Sequence, residues 1–406
     1  MGLSKIRSTL IPIVTVCLIL AVAGVIIAYG RGYRLDFQKK SVKSTGLLVV
    51  SSEPSGGQIL VNDIVKSATP TTLTLSPGWY NIAVAKEGFQ TWEKKLRVQG
   101  EVVSKAEALL IPANPSLSAI TSGGAIIPVL SPDGSKLAYL VPPAKTTGNG
   151  TTLFKPGIWI LDLIDKPLGL NRDARQITNL SLTNYNKVQL SWSPDSKQVL
   201  MCLGATPPVG GSNCQVYDAD KFNDSPKPVS SLSTLETDWK EQIKLHEKEK
   251  LVSFPQEFVA LATASARLLT FAPDETKVMY EATAAATLSQ ALNLPPIGSN
   301  STAETREIKP GYFYIYDVKE DRNYNLGETK TLPLLSWLPT SKHLLIIQKD
   351  KIDIMDFDGA NRRTLYAGPF GAGFAAPWTN NSKIIILTNL NPGTSAVNNL
   401  YAVNLK

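Results

Sequence analysis

The sequence is poor in the residues on which most catalytic and metal sites depend. Its 406 residues include only two histidines, His246 and His343, and three cysteines, Cys17, Cys202 and Cys214. It contains no Gly-x-Ser-x-Gly elbow, no His-Glu-x-x-His motif and no glycine-rich loop that would cradle a phosphate. The common hydrolase and nucleotide-binding templates are therefore excluded. We expect no catalytic residues, no metal site and no cofactor, and a protein that is not an enzyme.

Charge is also scarce, and its distribution excludes a nucleic-acid partner. Charged residues make up 18% of the chain, which favours a β-rich fold over a helical one. The net charge is +7, but residues 1–45 hold seven Lys or Arg and one Asp. Nearly all of the excess therefore lies at the N-terminus, where basic residues attract anionic lipid headgroups.

One long stretch without charge predicts a membrane anchor. The 20 residues from Leu10 to Tyr29 are uncharged and, at about 1.5 Å per residue, match a hydrocarbon core of about 30 Å. A cleaved signal peptide and a buried core helix are the alternatives, but the run is long for a signal peptide. We predict a cytoplasmic tail (1–9), a transmembrane helix (10–29) and a basic juxtamembrane linker (30–45), with Cys17 as a small apolar residue in the span.

The orientation of this anchor is ambiguous from charge alone. Lys5 and Arg7 precede the span, whereas Arg31, Arg34 and three lysines follow it. A count of positive charges places the large C-terminal region in the cytoplasm, although long domains translocate regardless of flanking charge. We favour a cell-membrane protein with its C-terminal region outside the cytoplasm, because of the cysteines and the second domain described below.

A repeated pattern organises the C-terminal three quarters of the chain. Each of five repeats has a turn, a short apolar strand, a variable gap and a second apolar strand that ends in Asp or Asn. The turns are at 131–136, 193–197, 272–277, 338–342 and 378–383; the second strands end at Asp162, Asp218, Asp317, Asp356 and Asn404. Recurrence in every repeat favours a turn-forming role for these acidic residues over a metal site.

The repeats predict a β-propeller over residues 112–406, with five blades, or six if a blade is hidden in an insertion. The shortest step, from Pro339 to Thr379, is about the 40 residues of a bare four-stranded blade. The last repeat ends after its third strand. We expect residues 116–121 to pair with it and close the ring, which removes an exposed edge.

Two further patterns connect the chain to known families. The turn at Trp192-Ser193-Pro194-Asp195-Ser196-Lys197 and the turn at Asp356-Phe357-Asp358-Gly359 resemble those of TolB-like (WD40-like) propellers. Residues 46–111 resemble a PEGA domain, in the order Ser52-x-Pro54-x-Gly56-Gly57, Thr69-Pro70, Pro77-Gly78-x-Tyr80 and Lys86-Glu87-Gly88-Phe89. The pattern of alternating apolar residues predicts a small antiparallel β domain there. The resemblance implies a bacterial membrane-anchored PEGA protein with a C-terminal propeller.

Two insertions lengthen the propeller repeats. In the first, at about 233–266, Leu235, Trp239 and Ile243 recur every four residues on one helical face, and Ser233 and Glu236 fit a capping box. This stripe either packs on the propeller or forms a docking surface for a partner. The second, at about 283–310, is rich in Ala, Ser, Thr and Pro and predicts an exposed loop.

Cys202 and Cys214 lie at facing positions of two strands that we expect to be antiparallel neighbours. They are either a disulfide, which persists in an oxidising compartment, or two unrelated buried thiols.

These patterns are typical of a membrane-anchored binding or scaffolding protein of the cell envelope. The propeller and the PEGA-like domain would engage a protein or a cell-wall glycan. Two alternatives stay open: a propeller enzyme that acts on cell-wall glycan or peptide through paired carboxylates, and an assembly platform that faces the cytoplasm. The ligand, the binding face and the oligomeric state are not specified by the sequence.

Overall fold

The computed structural model describes residues 3–30, 33–36, 41–100, 102–143, 155–165, 173–180, 185–204, 213–292, 300–332, 334–368, 373–390 and 397–406. Parts of the predicted juxtamembrane linker (31–32 and 37–40), of the loop between Cys202 and Cys214 (205–212) and of the second insertion (293–299) lie outside these residues. The chain divides into two compact units, one of Met1–Leu110 with Pro296–Thr302 and one of Ile111–Pro295 with Ala303–Lys406.

The first unit begins with a helix, α1 (Leu3–Gly30), and a two-stranded ribbon, β1 (Tyr33–Asp36) and β2 (Ser41–Ser44). The helix contains the whole uncharged stretch, and its apolar side chains between Ile13 and Ile27 are largely exposed. Within the described residues, no helix combines the length and the hydropathy needed to cross a membrane. The transmembrane span predicted from the sequence is therefore not shown.

The rest of the first unit is a two-sheet β domain. Its strands are β3 (Gly46–Glu53), β4 (Gln58–Val61), β5 (Ile64–Ala68), β6 (Thr71–Leu75), β7 (Gly78–Ala85), β8 (Trp92–Val98) and β9 (Val103–Leu109). They form one sheet in the order β6-β3-β9 and another in the order β5-β4-β7-β8. The core contains the inward residues of both sheets, among them Leu48, Ile59, Val84 and Leu96. Asn300 forms a β-bridge with Leu96.

The prediction of a purely antiparallel domain is wrong. Strands β3 and β9 pair in parallel, with Leu47 opposite Val103 and Glu53 opposite Leu109. The two strands lie about fifty residues apart in the chain, and the whole second sheet connects them. The alternation of apolar and polar residues reports which face of a strand is buried, but it does not report the direction of the neighbouring strand.

The second unit is built from four-stranded antiparallel sheets, which we number in chain order. After β10 (Leu117–Ala119), sheet 1 contains β11 (Ile126–Leu130), β12 (Lys136–Val141), β13 (Gly157–Asp162) and β14 (Arg175–Asn179). Sheet 2 contains β15 (Val188–Trp192), β16 (Gln198–Leu203), β17 (Cys214–Asp218) and β18 (Lys227–Pro228). Two helices follow, α2 (Leu232–Leu251) and α3 (Gln256–Ser265).

Sheet 3 contains β19 (Ala266–Phe271), β20 (Lys277–Ala282), β23 (Tyr312–Asp317) and β24 (Arg322–Glu328). In the chain, a two-stranded ribbon of β21 (Ala286–Thr287) and β22 (Glu307–Ile308) lies between β20 and β23. Sheet 4 contains β25 (Leu334–Trp337), β26 (His343–Ile347), β27 (Lys351–Asp356) and β28 (Arg363–Ala367). Sheet 5 contains β29 (Ala375–Pro377), β30 (Lys383–Thr388) and β31 (Asn399–Asn404), and β10 completes it.

The closure predicted from the sequence is confirmed. Strand β10 pairs antiparallel with β31, with Leu117 opposite Val403 and Ala119 opposite Tyr401, so the start of this unit supplies the outer strand of its last sheet. Successive four-stranded meanders closed in this way are the architecture of a β-propeller. The described parts of both insertions form two helices and a two-stranded ribbon, so they contain no further four-stranded sheet.

Two sheet-to-sheet contacts repeat the same hydrogen bonds. Trp192 of sheet 2 donates its indole N–H to the carbonyl of Val129 in sheet 1 at 2.9 Å, and Trp337 of sheet 4 donates in the same way to Thr270 of sheet 3. At the adjacent turns, the buried hydroxyls of Ser196 and Ser341 accept the amides of Asp133 and Asp274. Both serines have a positive φ, of 58° and 59°. The repeated Trp and turn residues therefore connect neighbouring sheets as well as shaping each hairpin.

This contact predicts the effect of replacing Trp192 by Phe. Trp192→Phe leaves the Val129 carbonyl without its donor, and we expect the free energy of unfolding to fall by about 1–3 kcal/mol. Trp159→Phe is the matched control, because the Trp159 indole donates to an exposed carbonyl, that of Lys155. Chemical denaturation of both variants measures the difference. Equal losses in the two variants would contradict the role given to the Trp192 contact.

Candidate functional site

The residues predicted as a docking stripe lie on α2, and the structure separates them. Leu235 and Trp239 are half-buried and pack with Leu232 against an apolar cluster that contains Cys202 and Cys214. Ile243, one turn further on, is 46% exposed. The first half of the stripe is therefore a packing surface, and only its end is open to solvent.

The N-terminus of α2 differs from the prediction. The helix begins at Leu232, one residue before the proposed capping box, and the hydroxyl of Ser231 accepts the amide of Thr234, so Ser231 rather than Ser233 is the capping residue. Ser230, Ser231, Ser233 and Thr234 lie close together in the sequence, and each is a chemically suitable cap. The earlier start is explained by Leu232, which joins Leu235 and Trp239 on the face that packs against sheet 2.

Cys202 and Cys214 face one another across β16 and β17, and the structure joins them by a disulfide. The pair lies beneath α2, where Leu200 and Val216 of the same sheet face complete the cluster. A cavity of about 230 Å³ opens beside it, lined by Gln189, Ser191, the two cysteines, Leu232 and Glu236 among others. The disulfide thus joins two strands under the helix and forms part of the cavity wall.

The helix α3 covers a face of sheet 3 in the same way. Phe258 stacks on Tyr316 with ring centroids 4.5 Å apart, and it meets the edge of Tyr280 at 5.6 Å. Phe254 and Leu261 belong to the same cluster, which also includes Leu251 at the end of α2, and Leu288 and Ile308 from the second insertion. The second insertion was predicted as an exposed loop, but these two of its side chains are buried at 2% exposure.

The face of sheet 2 that α2 covers and the face of sheet 3 that α3 covers hold equivalent positions in their sheets. The opposite face of sheet 2, with Val199 and Met201, packs against sheet 1, and the opposite face of sheet 3, with Met279 and Ile315, packs with sheet 4. The remaining faces of sheets 2 and 3 would pack on one another in a regular propeller. Here α2 covers the first of these faces and α3 covers the second, so the helical insertion occupies the place between sheets 2 and 3.

Between its two contacts, α2 is exposed. The segment 240–249 is rich in Lys and Glu, and Leu245 within it is 62% exposed. At the far end, the Lys250 ammonium pairs with Glu275 at 3.1 Å and lies over the Phe271 ring of sheet 3 at 5.5 Å. The helix is therefore held at both ends and presents a middle of about three turns to solvent.

A buried polar network missed by the sequence analysis holds the second insertion on sheet 3. Asp321 is completely buried and accepts the Tyr316 hydroxyl at 2.8 Å and the amides of Ala291 and Leu292 at 2.9 and 3.1 Å. Arg306 forms an ion pair with the same carboxylate. Burial, and then the hydrogen bond to Asp321, raise the pKa of Tyr316. The aromatic run Tyr-Phe-Tyr-Ile-Tyr-Asp at 312–317 was the available sequence signal.

The recurring acidic residues take local structural roles. Hydrogen bonding from the Ser193 hydroxyl holds the pKa of the Asp195 carboxyl below its usual range. The strand-end carboxylates accept bonds from their own sheets or turns: Asp162 from Arg175, Asp218 from the Asp220 amide, Asp317 from the Lys319 amide and Asp356 from Asn361. Over the described residues, no group of three or more His, Cys, Asp or Glu side chains is arranged to hold a metal.

The two histidines are separated. His246 lies on the exposed part of α2, 3.5 Å from Glu249. His343 is buried at the start of β26, where its Nδ1 lies 2.8 Å from the Thr340 hydroxyl and its Nε2 lies 3.6 Å from Asp356. The second of these contacts connects the ends of two paired strands, which is a structural role.

Comparison with known proteins identifies the first β domain. Residues 45–111 match the PEGA domain, which confirms the prediction for residues 46–111. No curated protein matches the chain.

Solved structures with which the chain aligns include TolB from Acinetobacter baumannii (15% identity, 86% of this chain and 69% of that one, TM-score 0.19). A putative TolB from Agrobacterium tumefaciens (13% identity, 80% and 90%, TM-score 0.19) and an oligogalacturonate lyase from Vibrio parahaemolyticus (10% identity, 86% and 97%, TM-score 0.26) also align. Identities and TM-scores this low do not support an assignment of fold or function. The propeller assignment rests on the strand pairing described above.

The packing of α2 predicts different consequences for two neighbouring residues of its stripe. Trp239→Ala removes half-buried apolar area from the cluster over the disulfide, and we expect a loss of about 1–2 kcal/mol in the free energy of unfolding. Ile243→Ala, on the exposed side of the same helix, is the matched control and is expected to change it by less than about 0.5 kcal/mol. Thermal and chemical unfolding measure both; a larger loss for Ile243→Ala would contradict the packing assigned to the stripe.

Proposed function

We propose that the chain is a membrane-anchored binding or scaffolding protein of the cell envelope, with its PEGA domain and its propeller outside the cytoplasm. The observation that carries this proposal is the PEGA match at residues 45–111, which begins fifteen residues after α1 ends. The resemblance to PEGA domains implies an envelope or cell-surface setting, where these domains serve as spacers or binding modules.

The helix α1 is the proposed anchor. It contains the 20 uncharged residues from Leu10 to Tyr29, and basic residues flank this stretch on both sides. The exposed apolar side chains between Ile13 and Ile27 would be costly in water and are favourable in hydrocarbon. Basic residues on either side would contact headgroups. In the chain, the PEGA domain follows this anchor and precedes the propeller.

The propeller is the proposed display platform. Its five four-stranded sheets serve as the five blades, and the insertion between sheets 2 and 3 supplies a surface that a regular blade does not. The exposed middle of α2, with Ile243, Leu245 and alternating Lys and Glu, is the part of this insertion that is available to a protein partner. An amphipathic helix held at both ends is a rigid recognition element.

Thiol trapping of the chain expressed in bacterial cells tests in which compartment the propeller lies. In a Cys17→Ser background, only Cys202 and Cys214 remain. We expect a maleimide polymer to add to neither cysteine in denatured, unreduced extracts and to both after reduction, because an oxidising compartment preserves the disulfide.

Two further measurements test the topology and the anchor. Added protease should degrade the propeller in cells whose outer barrier is opened, and the protein should stay in the membrane fraction at alkaline pH.

The control is the same chain expressed without residues 1–30, which keeps both cysteines in the reducing cytoplasm. It should be labelled without reduction. Labelling of both cysteines in the full-length chain, together with protection from protease, would contradict the proposal and favour the cytoplasmic platform. Release from membranes at alkaline pH would exclude the anchor.

A further inference from the structure

A second candidate site lies on the PEGA domain, on the outer face of the sheet that contains β7 and β8. Trp79 of β7 stands directly opposite Arg97 of β8, and Asn81 stands opposite Lys95. All four side chains point away from the core, because the alternate residues Ile82, Leu96 and others are the buried ones. The sheet therefore presents an aromatic ring, two cations and an amide in two adjacent rows.

Trp79 is unusual for its exposure. About 45% of its side chain is accessible, which leaves a large apolar ring face in water on a small domain. The Arg97 guanidinium lies 6.0 Å from the centre of this ring, within cation–π range. Next to the pair is an open recess of about 470 Å³, bounded by Pro77, Gly78, Gln99 and Gly100. The ring thus forms one wall of a space that a ligand can enter.

The charge in these rows is positive and unpaired. Over the described residues, Lys95 has no ion pair, and Arg97 contacts only the Trp79 ring through its guanidinium. Residues two apart on a strand are separated by about 7 Å, so Lys95 and Arg97 offer two cations in a line along β8. The acidic Glu93 lies two residues beyond Lys95 on the same face and marks the end of the cationic part.

We propose that this face, the Trp79–Lys95 patch, defined as Trp79, Asn81, Lys95 and Arg97, binds an anionic polysaccharide. The flat indole face suits the apolar face of a pyranose ring, and the planar Arg97 fork suits a carboxylate. Lys95 neutralises the carboxylate of the next sugar, and the Asn81 amide lies where it can bond to ring hydroxyls. The proposal names a ligand class for the binding role proposed above. It depends on that role only for the compartment in which the patch would encounter the polysaccharide.

The same residue types also occur where proteins touch a lipid surface, and the geometry favours the glycan. A surface that inserts into headgroups needs several large apolar side chains in one plane. Here Trp79 is the sole aromatic residue of the patch, its row neighbour is the polar Asn81, and a recess lies beside the ring in place of a flat apolar rim.

The test is isothermal titration of the full-length chain in detergent micelles with a β-1,4-mannuronate hexasaccharide. The matched uncharged ligand is β-1,4-mannohexaose, which has a hydroxymethyl group in place of each carboxylate. We expect the mannuronate to bind at least tenfold more tightly than mannohexaose, with an affinity that weakens as salt rises. Trp79→Ala and Arg97→Ala should each reduce the affinity at least tenfold, and Lys95→Ala should reduce it severalfold.

Lys105→Ala is the control variant, because Lys105 is an exposed lysine on the outer face of the domain's other sheet. It should bind as the parent chain does. Trp79→Phe keeps an aromatic face and should retain part of the affinity, so it shows whether the aromatic ring itself is needed. An unchanged thermal unfolding temperature confirms that each variant is folded.

Equal affinity for the two hexasaccharides, or no measurable binding of either by the folded chain, would overturn the proposal. Binding to phosphatidylglycerol vesicles that is lost in Trp79→Ala and Arg97→Ala, without binding to mannuronate, would assign the patch to the lipid surface instead. A cytoplasmic location in the thiol-trapping experiment would leave this in vitro affinity intact, so the two proposals fail independently.

Discussion

Each sheet of the second unit has two apolar faces, and the fold depends on covering both. A strand whose consecutive side chains are all buried, such as Val199-Leu200-Met201-Cys202 in β16, needs a packing partner on each of its two faces. Neighbouring sheets supply most of these partners, and sheet 5 meets sheet 1 through the cluster of Leu137, Tyr139, Ile385 and Leu400. Between sheets 2 and 3 the covering comes from α2 and α3. The helical insertion is therefore part of the core.

This arrangement explains features that are otherwise unconnected. The disulfide lies on the face of sheet 2 that meets a helix, where packing is less continuous than between two sheets and a cavity persists. Tyr280 and Tyr316 of sheet 3 pack against Phe258 of α3, and their hydroxyls donate to Asn323 and Asp321. Because a helix covers a sheet with a narrow stripe, the rest of its circumference stays in water. The middle of α2 is therefore exposed to solvent.

Features that depend on local chemistry were predictable from the sequence. The Pro and Asp turns located the hairpins, the strand-like segment at 116–121 located the closure, and the position of Cys202 and Cys214 on facing strands predicted their juxtaposition. Features that depend on partners distant in the chain were missed, namely the parallel pairing of β3 with β9 and the contacts of Asp321 with the amides of Ala291 and Leu292. The packing of Leu235 and Trp239 was one of two alternatives that the sequence left open. The Trp79–Arg97 pair escaped notice because its two halves lie on different strands.

Deletion of the helical insertion tests most directly whether it belongs to the core. A variant in which residues 232–265 are replaced by a short Gly/Ser linker would uncover the faces formed by Leu200 and Val216 on sheet 2 and by Tyr280 and Tyr316 on sheet 3. A core role predicts a markedly lower Tm and strong binding of an apolar dye by the folded variant. An unchanged Tm without dye binding would show that sheets 2 and 3 pack on each other directly, and would contradict it.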